Sequence, residues 1–251
     1  MRAPTLHPLA TLTRVEAALL LREPAAIAFT LALPLLLLVL NGSQGNQPSP
    51  RFGGAGLVDV LVPGYIVYVM ATSALMAMPE TLADYRDRGI MRRMRVSPLR
   101  PWQILGSHAL THLAMSGVGV ALLVGVGAVA FGLNLPGSWV PVLIALLAGA
   151  LSLLAVGFLL GAVLPTVRTT QAVGAALYFP AIFVSGAIFP REALPEFARL
   201  IGDWLPMTYA VRALREAWTN GAVDGVALGI LGAVTIGTAA VAVRTFRWES
   251  S

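Results

Sequence analysis

The sequence predicts an all-α membrane protein, and three observations support that prediction. Of its 251 residues, 57% are hydrophobic and only 12% are charged, whereas a soluble domain carries roughly 25% charged residues. The mean hydropathy is +0.78. Six apolar runs follow one another, at about 25–41, 57–79, 104–131, 139–164, 171–189 and 223–243.

Each apolar run is a candidate transmembrane helix, because an isolated strand in lipid would leave its backbone groups unpaired. A helix needs roughly 18–20 residues to cross about 30 Å of hydrocarbon. The first run is the shortest, but the helix-compatible segment before it can complete the crossing. Six spans place both termini on one side of the membrane. Twelve arginines fall on that side and five on the other, so the positive-inside rule predicts cytoplasmic termini.

The amino-terminal segment 1–24 has apolar residues at helical spacing, namely Leu9, Leu12, Val15 and Leu19. This pattern predicts an amphipathic helix lying in the cytoplasmic membrane interface, with Pro24 at the bend before the first span. A simple cytoplasmic extension of that span is the alternative. A cleaved signal peptide is disfavoured, because the apolar run follows a long charged segment and no small-x-small cleavage site comes after it.

The composition argues against an enzyme. All 17 basic residues are arginines, and a P-loop ATPase needs a lysine on the phosphates. Cysteine is absent, which excludes disulfides and Cys-ligated zinc. His108 and His112 share a helical face at a spacing that metals accept, but no third ligand follows. Hydrogen bonding in a polar collar is the favoured interpretation of this pair. No proton-relay acid lies deep in a span, which weakens the case for a secondary transporter.

Small residues recur at helical spacing within two spans, at Gly157 with Gly161 in one and at Gly225 with Gly229 and Ala233 with Gly237 in the other. Such seams allow helices to approach closely.

The loop after the second span is strongly basic, with six arginines between residues 85 and 102. Each arginine at the bilayer centre would cost about 2.5–3.5 kcal/mol, so this loop must lie outside the membrane. Its acids come early and its arginines late, as suits a helix beginning near Pro79. By pattern alone, a helix that docks on another protein and a loop that only sets topology remain equally open.

The stretch before the last span is too apolar for a solvated loop, yet it contains Pro190, Pro195 and Pro206. It predicts two short helices that enter the outer leaflet and return. A peripheral outer cap is the alternative.

Two motifs carry a family resemblance. The first comprises Ser185, Gly186, Phe189, Pro190, Leu194, Pro195, Leu205, Pro206, Thr208 and Tyr209, and the second comprises Gly89, Val96, Ser97, Pro98 and Leu99. Both resemble the ABC-2 type exporter permeases, especially the daunorubicin/doxorubicin-resistance kind. The chain departs from the family pattern at Ile90 and Arg92, where the family has Thr and an acid.

The resemblance implies the ABC-2 (type V) exporter fold in a single permease domain, 1–251, without a nucleotide-binding domain. Its parts would be the amphipathic segment 1–24, a coupling loop at 80–103 and an outer re-entrant hairpin at 190–221. The expected partners are separate cytoplasmic ATP-binding subunits, which would hold ATP and Mg, a second permease subunit, identical or not, and membrane lipid. No cofactor, metal or nucleic acid is expected on this chain. The expected location is the bacterial plasma (inner) membrane.

The implied function is export of drugs or amphiphilic, lipid-like molecules by alternating access, driven by the partner's ATP hydrolysis. An ATP-independent carrier or channel is the alternative. The resemblance places the coupling site at Asp84, Tyr85, Arg88, Gly89, Arg92, Arg93 and Val96. It places the gate at Ser185, Gly186, Phe189, Pro190, Pro195, Pro206 and Tyr209.

Aromatic and Met side chains suit a large, flat ligand. In the family the path lies at the dimer interface, which uses the second and fifth spans, so the candidate substrate path comprises Tyr65, Tyr68, Thr72, Met76, Tyr178, Phe179 and Phe183. The alternatives are an aromatic belt for Tyr65 and Tyr68, and lipid-facing packing for the others.

Overall fold

The computed structural model describes residues 24–89 and 101–245, and within these ranges the chain is helical and has no strand. The helices are α1 Pro24–Gly42, α2 Leu57–Ala71, α3 Met78–Asp87, α4 Pro101–Phe131, α5 Trp139–Val163, α6 Val167–Val184, α7 Glu196–Gly202, α8 Pro206–Thr219 and α9 Gly225–Thr245. Two short 3-10 turns lie at Pro50–Phe52 and Arg191–Ala193. The all-α prediction is confirmed for this part of the chain.

Four segments of the described chain are long and apolar enough to cross a membrane: Pro50–Asp87, Gly106–Phe131, Trp139–Val163 and Gly225–Ala242. This supports a multi-pass membrane protein. α6 coincides with the fifth predicted span but is not among these segments. α1 coincides with the first predicted span, and its apolar part with described side chains is Leu31–Gly42. Six crossings remain a prediction. Residues 1–23 of the predicted interfacial segment, and residues 90–100 of the coupling loop with Arg92, Arg93 and Val96, lie outside the described residues.

α2 forms the centre of the bundle. Every residue from Val58 to Ala71 is buried, and α1, α4, α5 and α8 all pack against the helix. A helix that is apolar on all faces is buried on all faces. We call the end of the bundle where α2 begins the Asp59 end. The opposite end, where α3 finishes, is the Arg86 end.

The helix that begins at Leu57 does not stop near Pro79. It continues through a π-helical segment, Thr72–Ala77, directly into α3 and ends at Asp87. The sequence predicted a helix beginning near Pro79, and α3 does begin at Met78. What the sequence did not predict is that α3 continues from α2 without a break. Pro79 has no N–H to give to the carbonyl four residues earlier. The wider turn accommodates it, with the Met78 N–H reaching back five residues to Ser73 O.

The glycine seam on α5 lies where α5 meets this continuous helix. A Cβ on Gly157 would lie 1.9 Å from Ala74 O, and one on Gly161 would lie 2.9 Å from Leu82 Cδ1. Only glycine permits these approaches. By contrast, Gly225, Gly229 and Gly237 on α9 have no atom within 4 Å of an added Cβ among the described residues. One predicted seam therefore makes a close helix contact within the subunit, and the two on α9 do not.

Candidate functional site

The substrate-path residues divide into three groups. Tyr68, Thr72 and Tyr178 lie together: the Thr72 hydroxyl donates to Tyr68 O at 2.9 Å and accepts from the Tyr178 hydroxyl. The rings of Tyr68 and Tyr178 are 6.0 Å apart. This contact joins α6 to the start of the π-helical segment, and Met76 packs nearby against the core.

Tyr65 lies apart from that group. It is fully buried, and its hydroxyl accepts from Asn41 Nδ2 of α1 at 3.2 Å. Tyr65 and Thr72 share a face, but seven residues of helix separate them by about 10 Å along the axis, so they meet different neighbours.

Phe179 and Phe183 lie on an exposed face of α6, with 54% and 48% of their surface accessible. Phe179 contacts the Tyr178 ring edge-on, and Phe183 stacks on Phe189 with ring centroids 6.4 Å apart. Of the candidate path, these two side chains are accessible from outside the subunit. Their role in a substrate path stays a prediction.

The described part of the coupling site is the end of α3. Arg88 forms an ion pair with Asp84 at 2.8 Å, and the ring of Tyr85 contacts the ring of His108 on α4, with centroids 5.1 Å apart. Gly89 has φ +66°, which suits a glycine just beyond a helix end. Asp84, Tyr85, Arg88 and Gly89 are therefore together, at the point where the chain leaves the bundle.

The predicted hairpin consists of α7 and α8. Proline sets both helix starts: Pro195 is the amino-terminal cap of α7 and Pro206 is the first residue of α8. The Tyr209 hydroxyl donates to Asp203 O at 2.8 Å, which closes the turn between the two helices.

The gate residues before α7 form a tight turn. α6 ends where Ser185, fully buried, is followed by Gly186 with φ +89°. Gly64 on α2 allows this turn to approach, because a Cβ there would lie 2.6 Å from Ala187 O. Pro190 then starts the 3-10 turn at Arg191–Ala193. The turn and hairpin lie at the Asp59 end, and insertion of this hairpin into the membrane remains a prediction.

A cavity of about 940 Å³ opens at the Asp59 end. It lies between the α7–α8 hairpin and the connections that join α1 to α2 and α4 to α5. Its charged side chains are largely paired, for example Arg215 with Glu192 at 2.9 Å and Arg212 with Asp224 at 3.1 Å. Burial alone would raise the pKa of Glu192. The hydrogen bond from Arg215, together with the neighbouring positive charges, outweighs burial and lowers that pKa. The cavity is polar but not strongly charged in either sense.

The comparison with known families decides the broader assignment. Residues 8–218, most of the chain, match the profile of the family described as ABC-2 type transporter. This chain belongs to the ABC-2 type transporter family. The resemblance noted from Ser185–Tyr209 and from the first loop is therefore confirmed.

Individual relatives of this ABC-2 chain are distant. It is 26% identical over 216 residues to ABC transporter G family member 20 of Dictyostelium discoideum, covering 83% of this chain and 29% of that protein. It is 26% identical over 204 residues to the putative transport permease ycf38 of Cyanophora paradoxa, covering 79% and 70%. It is 25% identical over 192 residues to the linearmycin resistance permease protein LnrN of Bacillus subtilis (strain 168), covering 76% and 47%.

The chain thus spans less than a third of the Dictyostelium relative and about half of the Bacillus one. Family membership and the apolar helices together make it a membrane transport permease. Membership also implies, in general terms, association with ABC ATP-binding subunits.

One polar cluster of this ABC-2 permease was not predicted from the sequence. Asp59 is 6% exposed, and its carboxylate accepts from Asn46 Nδ2 at 2.8 Å, from the backbone and side chain of Asn134 at 2.9 and 2.8 Å, and from Gly56 N at 3.3 Å. Trp218 of α8 donates to Asn134 O at 3.0 Å. The signal available in the sequence was an acid in the first turn of an otherwise apolar helix.

The histidine pair also lies in a polar setting. His108 and His112 are buried on the face of α4 that meets the continuous α2–α3 helix. His112 Nδ1 lies 2.9 Å from the Ser73 hydroxyl, so the predicted hydrogen bonding is confirmed for His112.

Proposed function

We propose that this chain is the membrane-spanning permease subunit of an ATP-driven exporter, working as a dimer, with ATP bound and hydrolysed by a separate cytoplasmic subunit. Drugs or lipid-like amphiphiles would be the cargo, moved outward by alternating access across a bacterial plasma membrane. The termini and the Arg86 end of the bundle would face the cytoplasm, in agreement with the arginine distribution.

The observation that most supports this function is the continuous helix from Leu57 to Asp87. It begins at the Asp59 end, runs through the buried centre of the bundle and ends, at Asp84–Gly89, in the charged segment that resembles the family's coupling element. A force applied at this end would therefore be carried along α3 to the π-helical segment Thr72–Ala77, next to the buried centre. A loop that only set topology would need no such continuous connection.

Co-purification tests the partner requirement. Co-expressed with a candidate ABC ATP-binding subunit, the permease should hold that subunit through solubilisation in detergent. Drug-like amphiphiles should stimulate hydrolysis by the purified complex in lipid vesicles. Transport of the same compounds by the permease alone, without ATP, would instead establish a carrier or channel.

Charge reversal tests the coupling assignment. Arg92→Glu with Arg93→Glu should abolish substrate-stimulated hydrolysis and transport, because both arginines belong to the predicted docking segment. Arg244→Glu is the matched control: Arg244 is exposed in the last turn of α9, at the same end of the bundle. If the double variant retains both activities, the assignment of this segment is wrong.

The exposed aromatic face of α6 supports an amphiphilic cargo. Phe179 and Phe183 offer large apolar surface without charge, and no natural cysteine interferes with labelling. Single-cysteine variants at these positions should be protected from maleimide by a transported amphiphile. A cysteine at Ile236, 74% exposed on α9, should not be protected. Equal protection at all three positions would refute the substrate path.

A further inference from the structure

The end of α3 is attached to the turn between α5 and α6 by two neighbouring residues of opposite charge. We propose that Arg86 and Asp87 are positioning residues that clamp α3 to this turn, so that α6 moves with α3 during transport. The inference rests on the proposed function, because it takes the motion of α3 to be driven by the ATP-binding subunit.

Arg86 holds the carboxyl end of α5. Its side chain is buried, with Nη1 donating to Leu164 O at 2.7 Å and Nη2 donating to Gly161 O. The last carbonyls of a helix have no partner within the helix, and they carry its negative end charge. A buried cation is stable only when such partners compensate its lost hydration. The guanidinium fork reaches two carbonyls at once.

Asp87 meets the opposite helix end. Its Oδ2 accepts from Val167 N, the first residue of α6, at 3.3 Å. The first N–H groups of a helix carry its positive end charge. Adjacent residues of α3 therefore contact the negative end of α5 and the positive end of α6, each with the complementary charge. One turn further along α6, Gln171 donates to Glu80 of α3 and adds a third point of attachment.

The geometry leaves one place for relative motion. α6 is tied to α3 at Asp87 and Glu80, and it is tied again through Tyr178 to Thr72, the first residue of the π-helical segment. The segment Thr72–Ala77 lies between these attachment points. Pro79, two residues after the segment, has no N–H to donate to the carbonyl four residues earlier. π-helical turns commonly occur at functional sites within α-helices. Displacement of α3 would therefore carry the amino-terminal half of α6 with it. The π-helical segment would change its backbone conformation to accommodate this movement.

Removing the Arg86 donors tests the clamp. Arg86→Met keeps the length of the side chain, while Arg86→Lys keeps one charged donor group that can reach the same carbonyls. With the ATP-binding subunit still bound, Arg86→Met should lower the ratio of substrate-stimulated to basal hydrolysis by about tenfold, a typical size for coupling between sites. Arg86→Lys should restore most of it. Arg168→Met, an exposed arginine two residues from the turn, is the matched control and should behave as wild type.

A cross-linking experiment tests the clamp even if the Arg86→Met variant fails to fold. The chain has no cysteine, so Asp87→Cys with Val167→Cys introduces one defined pair. Oxidising or bridging this pair should leave transport active, because the two segments move together. The clamp would be overturned if bridging abolished transport, reduction restored it and mock treatment left it intact. It would also be overturned if hydrolysis by the Arg86→Met variant were stimulated by substrate as fully as in wild type. A wild-type chain that binds no ATP-binding subunit would instead refute the proposed function itself, and the inference with it.

Discussion

The contact between Gly157 and the π-helical segment gives the sharpest stability prediction. In Gly157→Ala the new Cβ would lie 1.9 Å from Ala74 O, whereas real Cβ atoms essentially never come within 3.0 Å of another atom. α5 and the segment would have to separate by about 1.1 Å. The neighbour is backbone, so the overpacking cost lies at the upper end of its usual range, about 3 kcal/mol. Alanine regains about 1 kcal/mol of helix propensity, leaving a net loss of about 2 kcal/mol.

Thermal unfolding in detergent, followed by tryptophan fluorescence or size exclusion, measures this loss. For a chain of this size the midpoint for Gly157→Ala should fall by roughly 4–8 °C. Gly229→Ala is the matched control, since its Cβ would enter open space, and its midpoint should stay level or rise by up to about 4 °C. A Gly157→Ala midpoint equal to or above that of wild type would refute the close approach.

Three further changes test the Asp59 end. Asp59→Asn places an amide N–H among the donors that now meet the carboxylate, so unfolding free energy should fall by about 3 kcal/mol in chemical denaturation; a change below about 0.5 kcal/mol would contradict the cluster. Trp218→Phe removes the donor to Asn134 O and also shrinks a buried ring, so it should cost at least about 1 kcal/mol, with Trp204→Phe, 89% exposed, as the neutral control. Because the pKa of Glu192 is lowered below its ordinary 4.5, its stabilising effect is complete above pH 4.5 and is lost as the pH falls through the folded-state pKa. The difference in unfolding free energy between wild type and Glu192→Gln should therefore shrink as the pH drops below about 4.5. A difference that does not change with pH would show that the ionised Glu192 carboxylate is not its cause.

Apolar run length predicted where the helices lie, but not where each one begins or ends. The fifth run was placed at 171–189, whereas α6 is Val167–Val184. Thr166 caps its start through Thr169, and the positive φ of Gly186 ends it. Both effects depend on local hydrogen bonds and backbone angles, which hydropathy does not contain. The second run ends at Pro79 because charged residues follow it, whereas the helix itself continues to Asp87 through the π-helical segment.

The candidate sites were predicted unevenly for a related reason. Motif resemblance assigned Ser185, Gly186 and Phe189 to the gate, and in the structure they follow one another at the turn that ends α6. Helical spacing grouped Tyr65 with Tyr68 and Thr72, but it ignores which neighbour lies at each height along the helix. The role of Asp59 depends on Asn134, which is far away in the sequence. The hydrogen bonds of Arg86 likewise depend on carbonyls of α5, so neither role could be inferred from nearby residues.

The cluster around Asp59 also has a consequence for how the protein is made. During synthesis α2 emerges well before Asn134, and the Trp218 that holds Asn134 in place emerges later still. Until then the carboxylate lacks its two hydrogen bonds from Asn134, and water at the bilayer surface must take their place in the nascent chain. Final closure of this end of the bundle therefore waits until α8 has been synthesised. Shortened chains that stop before α8 should be recognised as unassembled and degraded.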